Sequence, residues 1–203
     1  MDPEEGGLTA LEGAILGVVT VLLALLAVHA LTVPAGPPAG LVYSAIGETG
    51  GCLVVSGDVY GYALASGSVG GTDLWCARPD RSRMGSVACN VRLVIGDMGS
   101  VDMSRTAVAI TTPDGTERLG RTAEAPVQPG NWTIVRMAHT VPFQQADDDS
   151  FLEPGEQFDL LVYPARSLAP GESFRISIIP FGGALIVVER AVPPWITPVM
   201  DLG

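Results

Sequence analysis

One apolar stretch constrains this chain more than any other feature. Gly13–Val33 contains 21 residues without an Asp, Glu, Lys or Arg, and His29 is its only ionisable side chain. As an α-helix the stretch would be about 30 Å long, the thickness of a bilayer's hydrocarbon core. Its twelve large aliphatic side chains would cost on the order of 20 to 35 kcal/mol if left in water. The sequence therefore predicts a helix that lipid or other copies of the chain must cover.

The residues before this stretch combine a glycine pair with a single carboxylate. Residues 1–7 are polar and end in Gly6-Gly7, and Glu12 stands at the edge of the apolar stretch. A secretory signal peptide starts with cations and is cut after its apolar region. A cut at Gly6-Gly7 would instead fall before the apolar stretch of this chain. A carboxylate at the start of an apolar helix needs a compensating cation, or it must stay in water at the helix N-terminus, where the helix dipole favours a negative charge. Glu12 alone leaves both environments open.

Small residues recur along the apolar stretch, and a proline-rich segment ends it. The positions Gly13, Gly17 and Ala24 form a stripe of the kind that lets two helices approach closely. Pro34 restricts Val33 to an extended conformation, so the segment 34–40, PAGPPAG, is predicted to be a hinge. The predicted organisation is a segment 1–7, an assembly helix 8–33, this hinge and a head over 41–203.

The head is predicted to consist of strands. The whole chain is 47% apolar and 16% charged and contains 25 Gly and 16 Pro, a balance that after residue 40 favours short strands joined by turns. The predicted strands are Cys52–Leu64, Val87–Ile95, Thr106–Thr112, Asn131–His139, Glu156–Tyr163, Ser173–Ile179 and Ala184–Val192. Seven strands without an intervening helix indicate an immunoglobulin-like sandwich. The predicted fold class is α+β, a long N-terminal hydrophobic α-helix followed by an all-β immunoglobulin-like sandwich.

Charge and cysteine content limit the partners. The net charge is −11 and all eleven cations are Arg, so nucleic acid is a poor partner. Cys52, Cys76 and Cys89 fit no zinc spacing. Outside the cell, Cys76 and Cys89 are predicted to form a disulfide, which leaves Cys52 as a buried apolar residue.

Two features of the head suggest bound groups. Carboxylates crowd at Asp147, Asp148, Asp149 and Glu153, just before Glu156, and such clusters hold structural calcium in some proteins. The alternative is a solvated acidic loop before a strand. Asn131-Trp132-Thr133 matches the N-glycosylation pattern, which predicts a glycan on an extracellular head.

The sequence offers little for catalysis. The chain has only two His, and His139 ends a predicted strand without an acid or nucleophile motif beside it. A blue-copper site needs two His, a Cys and a weak axial ligand, and the head has one His. We therefore expect no enzymatic activity.

Both ends of the chain resemble archaellins, the subunits of archaeal flagellar filaments. Gly6-Gly7 followed by Leu8-Thr9-Ala10-Leu11-Glu12 is similar to their prepilin-type, class III signal peptide, although this leader has acids where the family has Lys or Arg. Residues 147–203 resemble the C-terminal half of archaellins in an LEPGE-type turn, an L-x-P-x-x-x-F strand and an apolar strand ending in E-R and P-P. The middle, 65–130, matches only loosely.

The resemblance implies a structural role. A prepilin-type signal peptidase would cut between Gly7 and Leu8, and Glu12 would pair with the new α-amine of a neighbouring subunit. The precursor would sit in the membrane, and the processed chain would polymerise with itself into an extracellular rotating filament attached to motor and other archaellum components. The alternatives are an adhesive type IV pilus subunit and a monomeric membrane-anchored β-sandwich that binds a surface partner.

Overall fold

The computed structural model describes residues 53–94, 99–141, 145–147 and 149–203. These residues form fourteen strands and one 3-10 turn, Met103–Arg105. The strands are β1 Leu53–Val55, β2 Tyr60–Leu64, β3 Gly67–Val69, β4 Thr72–Leu74, β5 Asp80–Leu93, β6 Val101–Asp102, β7 Ala107–Thr112, β8 Gly115–Arg121, β9 Asn131–His139, β10 Phe151–Leu152, β11 Glu156–Tyr163, β12 Ser173–Ile179, β13 Ile186–Ala191 and β14 Val199–Asp201. We call this strand-bearing part of the chain the head.

Ten of the strands belong to one continuous sheet. Its order is β13-β12-β7-β8-β9-β11-β5-β2-β14, and β1 pairs with the last residues of β5. All neighbours are antiparallel except β8 and β9, which pair in parallel through Gly120 with Asn131 and Arg121 with Trp132. We call β7, β8, β12 and β13 the hairpin half, and β1, β2, β5, β9, β11 and β14 the long-strand half. Two small sheets, β6 with β10 and β3 with β4, complete the head.

The sheet curls until the inner faces of its two halves share one hydrophobic core. Leu160 and Phe158 of β11 belong to the same buried cluster as Ile110 of β7 and Ile176 of β12. Contacts between β1 of the long-strand half and β13 of the hairpin half also bring the two halves together. Alternation explains the arrangement, because every second side chain of a strand points to the same face.

A second buried cluster covers the outer face of the long-strand half. The hairpin of β3 and β4 contributes Val69 and Leu74, which pack with Leu161 and Tyr163 of β11 and with Ala88 of β5. Strands β5 and β11 are therefore buried on both faces. Their near-continuous apolar sequences follow from this double burial.

The predicted α+β fold class with an immunoglobulin-like sandwich is wrong. A sandwich consists of two separate sheets, whereas the β8–β9 pair joins the two halves into one curled sheet. The described ranges contain no α-helix, and none of their residues forms a helix long and apolar enough to span a membrane. The predicted helix and the hinge 34–40 lie outside the described residues.

Most of the predicted strands are confirmed. The strands Asn131–His139, Glu156–Tyr163 and Ser173–Ile179 have the predicted bounds. The predicted strand near Cys52–Leu64 is two strands, and β5 begins at Asp80, seven residues before the predicted start. Strands β3, β4, β6, β8, β10 and β14 were not predicted.

Candidate assembly surfaces

The residues predicted to direct processing and assembly lie outside the described part of the chain. The predictions that involve Gly7, Leu8, Glu12, Gly13, Gly17 and Ala24 therefore stay predictions. The described residues do include most of the other predicted sites, all on the head.

The acidic loop before β11 uses its carboxylates to hold its own backbone. Glu156, 5% exposed, accepts hydrogen bonds from the backbone N–H groups of Asp147 and Glu153, at 3.3 and 3.1 Å. Asp147 accepts from the N–H of Asp149, and Asp149 from that of Phe151. No three acid, His or Cys side chains converge as metal ligands within the described ranges, which omit Asp148. The calcium site stays a prediction.

The loop after β11 belongs to the C-terminal stretch 147–203 that resembles archaellins, and several contacts fix this loop to the rest of the head. In the loop after β11, the backbone N–H of Ala165 donates to both carboxylate oxygens of Glu117, at 3.0 and 3.2 Å. Arg166 forms ion pairs with Asp114, at 3.1 Å, and with Glu172. These contacts reach β8, the β7–β8 turn and the residue before β12, so the charged side chains around this loop serve to position it.

The same loop is fastened to β5. Leu168 and Met84 exchange two backbone hydrogen bonds, of 3.0 and 2.8 Å, and both side chains are buried. Arg83 donates from Nε to the hydroxyl of Ser167 and from its guanidinium to the carbonyl of Ser167. These contacts have no signal in the sequence, because the partners are 84 residues apart and no local pattern links them.

The predicted glycosylation site lies at the start of β9. Asn131 is half-buried, and its Nδ2 donates to the carbonyl oxygens of Gln128 and Pro129, at 3.0 and 3.3 Å. Trp132 and Thr133 of the same motif are buried. A glycan on Nδ2 would replace one of its two hydrogens, so at least one of these contacts would change. The glycan stays a prediction.

The predicted disulfide between Cys76 and Cys89 is absent, because both thiols are free. Cys89 is buried in the shared core on β5, where burial raises the pKa of its thiol to about 12. Cys76 is half-exposed after β4, and its backbone N–H donates to Ser66. The two cysteines belong to different layers of the head, which explains why a short loop in sequence does not pair them.

The single His of the head has a structural role. The Nδ1 of His139 accepts the backbone N–H of Val141 at 3.1 Å. Gly155 lies against the ring with a φ of 93°, and a Cβ there would come within 2.8 Å of the imidazole. This contact explains the glycine of the Pro154-Gly155 turn, since another residue would meet both strain and the ring.

Large exposed apolar side chains concentrate on two surfaces. The first, which we call the hairpin face, carries Ile179, Phe181, Leu185 and Val187 on β12, β13 and their turn. The second, the edge face, lies on and beside β2 and β14, and its exposed members are Tyr60, Trp195 and Val199. Neither surface was predicted from the sequence. Phe181 and Leu185 on either side of Gly182-Gly183 are a detectable signal for the first, because turns are ordinarily polar.

The head is similar to a solved archaeal flagellin. No protein-family model matches the chain, and no curated protein matches its sequence. The crystal structure of flagellin FlaB1 from Methanocaldococcus jannaschii matches with a TM-score of 0.53 and 13% identity, over 74% of this chain and 95% of that one. The head has the fold of an archaeal flagellin. The resemblance predicted from the sequence is thus confirmed at the level of the fold.

Two further archaellum structures are similar to this chain. The archaeal flagellum of Methanospirillum hungatei strain JF1 matches with a TM-score of 0.48 and 17% identity, over 96% of this chain and 99% of that one. The archaellum periplasmic stator protein FlaG from Sulfolobus acidocaldarius matches with a TM-score of 0.42 and 12% identity, over 68% of this chain and 98% of that one.

Proposed function

We propose that this protein is a structural subunit of an archaeal flagellar filament. The observation that supports this most directly is the flagellin fold of the head, which covers 95% of the FlaB1 chain. The curled sheet, to which hydrogen bonds and ion pairs fix the loop after β11, is suited to the outer shell of a filament. Its function is mechanical: many copies transmit the rotation of a motor as thrust.

The N-terminal residues would supply processing and polymerisation. A prepilin-type peptidase would cut the membrane-inserted precursor between Gly7 and Leu8, and the apolar segments of neighbouring copies would then cover one another. Gly13, Gly17 and Ala24 would allow close approach. No Lys or Arg precedes Arg78, so the α-amine created at Leu8 is the nearest strong cation for Glu12. A carboxylate buried without such a partner would be costly.

A position in an extracellular filament implies the partners and modifications of the subunit. The subunits would bind each other in an extracellular filament, and the filament base would bind motor and other archaellum components. A glycan on Asn131 would shield the head surface at the start of β9. Calcium at Asp147, Asp148, Asp149 and Glu153 would reinforce the acidic loop, whose backbone already depends on carboxylates.

Mass spectrometry of the assembled protein tests the proposal. The full chain is expressed in an archaeal host that lacks its own flagellins, and sheared surface filaments are collected and analysed. We expect filaments whose subunit begins at Leu8, and swimming cells. Filaments that support attachment without swimming would indicate an adhesive pilus instead. A chain that keeps Met1 and stays in the membrane without filaments would refute the proposal.

A variant of Glu12 tests the assembly step separately. Glu12→Ala is expected to be cut normally and to yield few filaments, since the α-amine of the neighbour loses its partner. Glu5→Ala is the matched control, because it removes an acid from the segment that the cut discards and should leave filament yield unchanged. Normal filament yield from Glu12→Ala would contradict the pairing.

A further inference from the structure

We propose that the hairpin face of one head docks onto the edge face of the next head in the filament. This inference rests on the proposed function, and it names the two surfaces of the head through which neighbouring copies meet. It is carried by the apolar character and the opposite charges of the two faces.

The hairpin face lies on the outer side of the sheet, and small residues form its centre. On the outer side of the sheet, Ser177 of β12 pairs with Ala109 of β7 and with Val187 of β13. Ile179 pairs in turn with Ala107. The two alanines are half-buried, whereas Ile179 and Val187 are 45% and 43% exposed. The exposed fractions of Ile179 and Val187 show that the described part of the head leaves this apolar surface open to a partner.

Unpaired cations border the hairpin face. The guanidinium of Arg105 lies 3.3 Å from the ring centroid of Phe181, at the turn between β12 and β13. Arg118 is exposed on β8, directly opposite Ala109. Neither arginine makes a salt bridge to any of the described residues, whereas Arg175 on the same face is paired with Glu189. Hydrogen bonds from Ser104 and, more weakly, the charge of Arg105 lower the pKa of Asp102, so this carboxylate offsets part of the Arg105 charge. The salt bridges of the described residues leave Arg105 and Arg118 as the cations that make this face positive.

The edge face has the opposite character. Val199 of β14 pairs with Tyr62 of β2, and Asp201 pairs with Tyr60, so these side chains share one surface. Trp195, which precedes β14, is 80% exposed, the largest exposure among the large apolar residues described. An indole left this open on a folded head indicates a contact surface, because aromatic anchors are enriched in interfaces.

Two carboxylates make the edge face negative. Asp58 accepts the hydroxyl of Tyr60 at 3.4 Å. Asp58 and, more weakly, Asp201 raise the pKa of the Tyr60 phenol, which shows that both charges reach the same spot. Neither acid forms a salt bridge within the described ranges.

The two faces complement each other and belong to different parts of the head. Each face offers exposed apolar side chains. The two cations Arg105 and Arg118 on one face are equal in number and opposite in sign to the two carboxylates Asp58 and Asp201 on the other. Complementary potentials select partners and fix their orientation. A contact between two different surfaces of identical copies is heterologous, and it produces an open helical polymer unless the rotation closes a ring. The pair of faces thus fits a filament and not a closed dimer.

Two charge-reversed chains test this docking. The cation-reversed chain carries Arg105→Glu and Arg118→Glu, so both of its faces are negative. The acid-reversed chain carries Asp58→Arg and Asp201→Arg, so both of its faces are positive. Each full-length chain is expressed alone and together with the other in the flagellin-free archaeal host, and sheared filaments are quantified by electron microscopy and mass spectrometry.

We expect each reversed chain alone to lose filament yield by at least about tenfold, because like charges then meet at every contact. Co-expression should restore filaments that contain both chains in equal amounts, since each hairpin face again meets an edge face of opposite sign. Misfolded subunits could not give this rescue. Arg81→Glu and Glu124→Arg, at exposed positions outside both faces, are the matched controls and should assemble like the wild type.

Either of two results would overturn the docking. One is wild-type filament yield from a reversed chain expressed alone, which would mean that the faces meet another partner or none. The other is failure of the co-expressed chains to assemble, although both are processed and folded. Absence of filaments from the wild-type chain itself would instead refute the proposed function, so the two failures are distinguishable.

Discussion

The two halves of the curled sheet share their inner faces but differ on their outer ones. The outer face of the long-strand half is covered by the β3–β4 hairpin, which buries Leu161 and Tyr163 of β11. The outer face of the hairpin half has no such cover among the described residues and exposes Ile179 and Val187. Both halves contribute to the same inner core. The part of the long-strand half around β5 and β11 therefore completes its burial within the chain, whereas the hairpin half, like the edge face on β2 and β14, leaves an apolar surface for a second molecule.

The difference between the covered and the bare outer face predicts different roles for their side chains, in folding stability and in assembly respectively. Side chains on the covered face should contribute to the free energy of unfolding as core residues do. Those on the bare hairpin face should contribute less to it, because Ile179 and Val187 stay 45% and 43% exposed in the head and so bury less apolar surface on folding. Substitutions on the two outer faces can therefore reveal which surface is used for folding and which for contacts.

The largest contrast is expected in the reactivity of two cysteines in different layers. A pKa raised from 9.0 to about 12 lowers the thiolate fraction of Cys89 about 1,000-fold relative to an unperturbed thiol, and burial blocks the reagent as well. Half-exposed Cys76 should be alkylated by iodoacetamide in the native protein, and Cys89 only after unfolding. Peptide mass spectrometry identifies each site separately from Cys52. Protection of Cys76 that a reductant removes would show that the predicted disulfide forms after all.

The covered face is tested by two adjacent leucines of β11 that point in opposite directions. Leu160 faces the shared core and Leu161 the cluster beneath the β3–β4 hairpin, and both are fully buried. Leu160→Ala and Leu161→Ala should each lower the free energy of unfolding by about 2 to 5 kcal/mol, measured by chemical denaturation of the depolymerised chain. A loss below about 1 kcal/mol for Leu161→Ala would mean that the hairpin covers this face only loosely.

The sequence predicted the strands better than their assembly. Strands β9, β11 and β12 were found because alternating or continuous apolar residues mark them. Strand β8, with the sequence GTERLGR, contributes one buried apolar side chain, Leu119, so its pattern is too weak to detect. Its absence hid the parallel β8–β9 pair, and without that pair two separate sheets are the natural interpretation.

Site predictions were limited for a related reason. The acidic run before β11 was evident in the sequence, but its carboxylates bind backbone N–H groups of the same loop, which a count of acids cannot show. The Cys76–Cys89 pairing failed because proximity in sequence does not report which face of a strand a side chain occupies. The two assembly faces depend on register across several strands, and this is fixed by tertiary structure.

A smaller effect is expected from removing a single side-chain hydrogen bond between β11 and the residue after β4. The hydroxyl of Tyr163 donates to the carbonyl oxygen of Trp75 at 3.0 Å and so links β11 to the chain following β4. Tyr163→Phe keeps the ring and removes this bond, which should cost about 1 kcal/mol in denaturant unfolding. Tyr60→Phe is the control, because that hydroxyl is exposed and makes only a long contact to Asp58. Equal losses from the two variants would contradict a special role for the Tyr163 bond.

The smallest effect on stability is expected on the hairpin face. Val187 is 43% exposed on β13, whereas its neighbour Val188 is buried in the shared core, so Val187→Ala and Val188→Ala form a matched pair on one strand. Val187→Ala should change the free energy of unfolding by less than about 0.5 kcal/mol, and Val188→Ala should lower it by about 1 to 3 kcal/mol. If Val187→Ala lowers the free energy of unfolding as much as Val188→Ala does, the hairpin face is already packed within the head. Its side chains would then not be available for contact with a neighbouring subunit.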